Sequence, residues 1–128
     1  MAGEEFIYTT LAADSAVTSL IGQFDSASPQ APAIFPVIAP QDAPRPFIVY
    51  SLVSAQPTNI FDGAPTLDNR RVQIDCYAES WETAKQIANA VRTSLEDVCH
   101  LVSENPDDYE ADTKLFRKSH DFSLWIDR

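Results

Sequence analysis

The residues whose side chains could carry chemistry are few, and their spacing does not suit it. His100 and His120 are the only histidines, and Cys76 and Cys99 the only cysteines. Nucleophilic catalysis needs a base within hydrogen-bond reach of the nucleophile. Cys99 and His100 are adjacent in the chain, and adjacent side chains point apart on a strand or a helix. No serine or cysteine stands in a GxSxG context. The two cysteines share no metal-ligand spacing, and they read as small apolar residues kept reduced. The acidic run Glu104, Asp107, Asp108, Glu110 and Asp112 has the charge to attract calcium. It lacks the alternating ligand order of a calcium loop and reads as a solvated loop around Pro106. Gly3, Gly22 and Gly63 are isolated, so no glycine-rich loop can cradle a phosphate. The expectation is a protein with no catalytic, cofactor or metal site. The competing reading, a small enzyme or ligand-binding domain, would have to rest on Cys99, His100 or His120.

The elements that would position these residues are easier to read. In the run from Arg70 to Val98 the hydrophobic period switches once, at Ser80. Before it Val72, Ile74, Cys76 and Ala78 alternate with polar residues, which is a strand with one buried face. After it Ala84, Ile87, Ala88, Val91, Leu95 and Val98 recur at helical spacing, with Ser80 as N-cap and Glu82 in the first turn. Glu4 to Ile21 reads as two short helical pieces or one bent one. Asp14 restarts the helix as a cap, and Gly22 is placed as its stop.

Six prolines between Pro29 and Pro46 leave room only for a short edge strand around Ile34 to Ile38. Phe47 to Ser54 is apolar on both parities and is expected to lie centrally in a sheet. It pairs antiparallel with the Val72 strand through a hairpin tip spanning Gln56 to Leu67. Thr113 to Arg128 alternates again, with Phe116, Phe122, Leu124 and Ile126 on one parity and His120 sharing it as a partly buried, hydrogen-bonded structural histidine. The expected fold is α+β, a mostly antiparallel sheet of about four strands with two main helices packed on it.

The totals fit one domain. The chain has 128 residues, 45% of them apolar, and a net charge of −10. An acidic chain without basic clusters does not hold a phosphate backbone tightly, but it would let DNA pass without sticking. No apolar run approaches a membrane span and the first residues are acidic, so the expectation is a cytoplasmic protein. Tyr50, Tyr77, Trp81 and Trp125 are more large aromatics than a core of this size hides. Pro57, Ile60 and Phe61 are apolar residues at or near a loop tip, which implies that something covers them. Pro57, Ile60, Phe61 and Trp125 are therefore the candidate interface residues.

Several segments resemble, in order, the tail completion or tail terminator proteins of long-tailed phages, prophages and gene transfer agents. They are IFPVIAPQDAPRPFIVYSLVS, RRVQIDCYAESWETAKQIANAVRTSL and RKSHDFSLWID, with Phe35-Pro36, Pro46, Val72 to Tyr77, Ala84 and Asp121 to Trp125 as the telling pieces. The resemblance spans nearly the whole chain, residues 1–128 as one domain, and rests on apolar and small-residue patterns. It implies a structural assembly protein without cofactor, assembled in the host cytoplasm into a homo-hexameric ring at the head-proximal end of the tail. The implied partners are copies of itself, the tail tube protein and the head connector or head-completion protein, with DNA passing through the ring unbound. A head-closure or connector adaptor is the alternative within the same particle.

Overall fold

A computed structural model describes residues 3–24, 31–39, 43–57, 67–96, 99–105 and 107–127. The chain opens with helix α1 (Gly3–Ala13) and the one-turn α2 (Ser15–Thr18). The break between them lies at Asp14, whose extended backbone and carboxylate accepting from Ala16 N at 2.9 Å start the second piece. After a two-residue ladder of β1 (Gln23–Phe24) and β2 (Ala31–Pro32) come β3 (Ile34–Pro36), β4 (Phe47–Pro57) and β5 (Leu67–Ala78). Helix α3 (Trp81–Leu95) follows, then β6 (His100–Glu104), β7 (Asp108–Glu110) and β8 (Leu115–Asp127).

The main sheet has six strands in the order β3-β4-β5-β8-β6, with β7 also paired to β8. It is antiparallel except for β3, which runs parallel to β4. The expectation of about four strands is thus corrected to six. β6 and β7 fall in or beside the acidic stretch expected to be a loop. They are five and three residues long, too short and too polar to show a period of two. The expected central position of Phe47 to Ser54 also needs correction. Among the described residues β4 has neighbours on both sides only where Ile34–Pro36 pairs with Ile48–Tyr50, and beyond Tyr50 it has a strand on one side alone. The hairpin tip, residues 58–66, lies outside the described residues.

The helices cover one face of the sheet, α3 over β5 and β8, and α1 against β3, β4 and α3. On that face Val72, Ile74, Cys76 and Ala78 of β5 are fully buried, as the alternation requires. They meet Ala84, Ile87, Ala88, Val91 and Leu95 of α3, whose Ser80 cap accepts from Thr83 N at 3.2 Å. Two alanines on the helix and Ala78 on the strand let the backbones approach closely, and Phe122 of β8 fills the centre. Both cysteines are free thiols in this core.

Gly22 has a different role from the expected helix stop, because α2 ends at Thr18 with Ser19 as its cap. Its N–H donates to Pro46 O at 2.8 Å and its carbonyl accepts from Ala33 N at 2.9 Å. A Cβ at this position would stand 2.7 Å from Pro44 Cβ and 2.9 Å from the Pro44 carbonyl carbon. Gly22 thus lets the residues before β4 cross the end of the helical segment. Gly22→Ala is expected to destabilise the fold by about 1–3 kcal/mol through overpacking. Urea unfolding should show this as a lower midpoint at an unchanged slope.

Candidate assembly surface

The residues with chemical potential are not brought together. Cys99 is buried at the end of α3, and burial pushes its thiol up to about 11; burial raises Cys76 further still. Neither is a thiolate near neutrality. His100 is exposed and pairs with Ser123, which lies on the helix-free face of β8, whereas His120 shares the helix-covered face with Phe122. The two histidines therefore sit on opposite faces of the sheet. Among the described residues no group of three or more His, Cys, Asp or Glu side chains is placed to hold a metal.

His120 is more deeply buried than the partial burial expected, and among the described residues neither ring nitrogen has a side-chain hydrogen-bond partner. It packs edge-to-face on Phe122 with ring centroids 6.1 Å apart. Burial lowers its pKa, Lys118 and Arg92 add to the drop, and Glu104 and the Ser119 backbone oppose it.

Polar side chains tie the sheet together where the helices do not. On the helix-free face Asp121 receives Arg71 at 3.4 Å and Asn105 Nδ2 at 3.2 Å, Asn105 also reaches Ser119 Oγ at 3.0 Å, and Asn69 donates to Ser123 Oγ at 2.7 Å. At the start of α3, Trp81 Nε1 donates to Asp107 Oδ2 at 2.7 Å and Lys118 Nζ to Asp107 Oδ1 at 2.7 Å. The ammonium groups of Lys85 and Lys118 stand 5.1 and 5.7 Å from the Trp81 ring centre. Hydrogen bonds from Lys118 and then Trp81 hold the Asp107 carboxyl below its usual range. Trp81 is thus a fastener between helix and acidic segment, although 41% of it is exposed.

The surface features that remain are apolar edges and strand ends. β5 is 12 residues long, about 40 Å at ~3.3 Å per residue, and α3 is 15 residues, about 22 Å at ~1.5 Å per residue. Such a helix is shorter than β5, and the buried core reaches Leu124, level with Arg70. The far end of the β4-β5-β8 ribbon runs beyond it, with Gln56 level with Asn69 and Trp125, and Pro57 level with Asp68 and Ile126. The register therefore brings the backbones of two candidate interface residues, Pro57 and Trp125, to the same end of the ribbon. Ile60 and Phe61 lie outside the described residues. Among those residues, no strand pairs with the outer side of β4 past Tyr50 or of β8 past Ser123.

Sequence reasoning did not single out the β3/β4 edge, where Val37 (75% exposed), Ile38 (77%), Leu52 (41%) and Val53 (50%) lie. Val37 has φ of 67°, and Ile38 N donates back to Pro36 O at 2.7 Å, which makes a γ-turn of the strained hand on a β-branched residue. The available signal was Phe47 to Ser54 itself. A strand apolar on both parities exposes apolar side chains as soon as one side lacks cover.

This is the architecture of a structural module with bare strand edges, without an assembled catalytic or metal centre among the described residues. A profile of the family described as Tail completion protein gp17 matches residues 5–127, and the chain belongs to that family. It is accordingly a structural protein of a phage-type tail and not an enzyme. No curated protein matches it in sequence. Among solved structures it is similar in fold to a chain of the virion of a native gene transfer agent particle. That match has a TM-score of 0.60 and 15% identity, and covers 95% of this chain and 92% of the other.

The His120 environment sets a pH dependence. Its folded pKa lies below the ordinary value of about 6.5, so the unfolded chain takes up the proton first as pH falls. The stability associated with neutral His120 is complete above about pH 6.5 and is lost progressively as pH falls below it. His120→Leu should flatten the wild-type loss of stability between about pH 6.5 and 5, read as the difference between urea midpoints of the two proteins across that range.

Proposed function

We propose that this chain forms a homo-hexameric ring that caps the finished tail tube, ends tube polymerisation and presents the surface that joins the tail to the head connector. In this reading it assembles in the host cytoplasm and remains at the head-proximal end of the tail. The observation that carries the reading is a β4-β5-β8 ribbon that runs past α3 in a chain of the tail completion family. A long strand ribbon projecting past its helix layer offers main-chain and side-chain contacts at its end, which suits an axial partner above or below a ring. We assign Pro57, Ile60, Phe61 and Trp125 to that axial contact. The net charge of −10 lets DNA pass a channel lined by such subunits without being held.

Light scattering after gel filtration, across concentrations, tests the ring. The expected species is six times the 14.2 kDa chain, about 85 kDa. The axial contact is tested on purified tail tubes, where Trp125→Ala and Phe61→Ser are each expected to weaken binding about tenfold or more, as loss of an aromatic interface anchor does. In particles, loss of the protein should give tails of uncontrolled length. Tails of normal length that simply fail to join heads would place the protein at the connector instead.

A further inference from the structure

The ring reading leaves open which surfaces of neighbouring subunits meet, and the structure distinguishes the two lateral edges of the sheet. Residues 31–39 and 47–57, which hold β3 and β4, contain no Asp, Glu, Lys, Arg or His, and residues 26–61 contain only Asp42 and Arg45 of those types. In a chain with net charge −10 this is a long uncharged border. Copies of such a chain repel one another across most of their surface, and least where one of the approaching faces carries no charge. The same border displays Val37, Ile38, Leu52 and Val53 and leaves the outer side of β4 beyond Tyr50 without a strand partner among the described residues. Natural edge strands are commonly guarded by lysine or another charge, and this one has none.

The opposite lateral edge, formed by β6 and β7, is built differently and carries a matching device. β4 skips a register step at Val53 and β6 skips one at Val102, so each edge has a β-bulge whose extra residue is a valine. Val53 is 50% exposed and Val102 41%, and Tyr109 of β7 is also exposed. This second edge is charged, with Glu104, paired with Arg92 at 3.0 Å, Asp108, paired with Arg117 at 3.5 Å, and Glu110 on its strands. Two such edges set like charges against each other, whereas one set against the uncharged β4 edge meets no charge. The strained γ-turn at Val37, fixed by Val37 N donating to Tyr50 O at 2.8 Å, ends β3 and leaves the rest of the β4 edge open.

We infer that the uncharged β3/β4 edge of one subunit receives the β6/β7 edge of a second copy, head to tail, with the bulged Val53 and Val102 at the contact. β6 runs antiparallel to β8 and β8 parallel to β4, so within a continued sheet the incoming β6 meets β4 antiparallel. Each copy offers one edge of each kind, so the contact repeats around a closed rotation. This inference rests on the ring reading and supplies its lateral contact, separate from the axial ribbon end.

The test uses Val53→Lys and Val102→Lys in the full chain, with unchanged circular dichroism and melting temperature confirming the fold. Each bulge residue is exposed, so a lysine there is tolerated by the monomer. Each variant alone should run as the 14.2 kDa monomer, since each lacks one of the two edges. Mixed together they should form a species of twice that mass, about 28 kDa, and stop there, because the one intact edge of each pairs with the other's and both lysine edges remain blocked. A Val53→Lys protein that assembles like wild type overturns the inference. So does a monomeric Val53→Lys beside a Val102→Lys that still assembles, which would mean that β4 pairs with β4 about a two-fold axis. A wild-type chain that is monomeric at every concentration also overturns it. The ring reading is then judged separately, by the number of copies bound at the end of a tail tube.

Discussion

The structure depends on the pairing of β5 along its whole length with β4 on one side and β8 on the other. Its 12 residues are in register with β8 from Leu67 opposite Asp127 to Ala78 opposite Phe116. Every apolar residue that β5 turns to one side is fully buried, and every hydrogen bond it makes fixes which residues of β4 and β8 share that side. A slip of one residue would carry Val72, Ile74 and Cys76 to the polar face and bring Arg71, Gln73 and Asp75 under α3. The cost of that exchange holds the register, and the register sets the placement of everything else. Ile48 and Tyr50, His120 and Phe122 join the core because they are level with Cys76, Ile74 and Val72. Asp121 and Ser123 take the opposite face with Arg71, Gln73 and Asn69, where their hydrogen bonds replace helix cover.

The same pairing generates the bare surfaces. Three strands held together over most of their length are longer than α3, so one end of the ribbon runs past that helix. The edges are determined by a second mismatch. β3 is three residues long beside the eleven of β4, and β6 meets β8 only from His120 to Ser123. Short outer strands on long inner ones leave stepped edges, and the steps fall at Tyr50 and Ser123. A monomeric domain would hide or charge such steps. Here the β4 step is uncharged and apolar, and a family whose members complete phage tails accounts for a fold that leaves it so.

How much of this was legible in the sequence depended on how far each feature was local. The switch at Ser80, the caps at Asp14 and Ser80, the parity of Val72 to Ala78 and the shared parity of Phe122 and Leu124 are set by neighbours within one or two turns, and they stand as read. β6 and β7 were not legible. Segments such as HLVSE and DYE have no period of their own and become strands because β8 offers them an edge. Gly22 was read as a helix stop because glycine often is one, while its actual constraint is the backbone of Pro44, 22 residues away, which no local pattern encodes. His120 was correctly read as buried from its parity, but its missing hydrogen-bond partners depend on which side chains three other strands and a helix bring near. The exposed border was hidden for the opposite reason. Its apolar pattern was plain, but apolar residues in strands are read as core until the strand order shows which side has no neighbour.

The distribution of charge separates the possible roles of these surfaces. Residues 26–61 carry two charged side chains of the kinds that sum to −10 over the chain, so the remaining residues hold nearly all of the acid. Much of the acid lies at the ends of α3 (Glu79, Glu82 and Glu96), in the 104–112 segment or on the helix-free face, where part of it is held by Trp81, Lys118, Arg71, Arg92 and Arg117. The proposed ring needs contacts between copies of an acidic chain that do not set acid against acid, and one uncharged border is sufficient if it always meets the other edge. That requirement favours a head-to-tail arrangement over a two-fold one, because a two-fold contact through β4 would use the uncharged border of both copies and leave only acidic edges for further growth. A closed ring built head to tail consumes one uncharged and one acidic edge at every joint. In the proposed ring this would leave the strand ends for axial partners and the remaining acid for solvent.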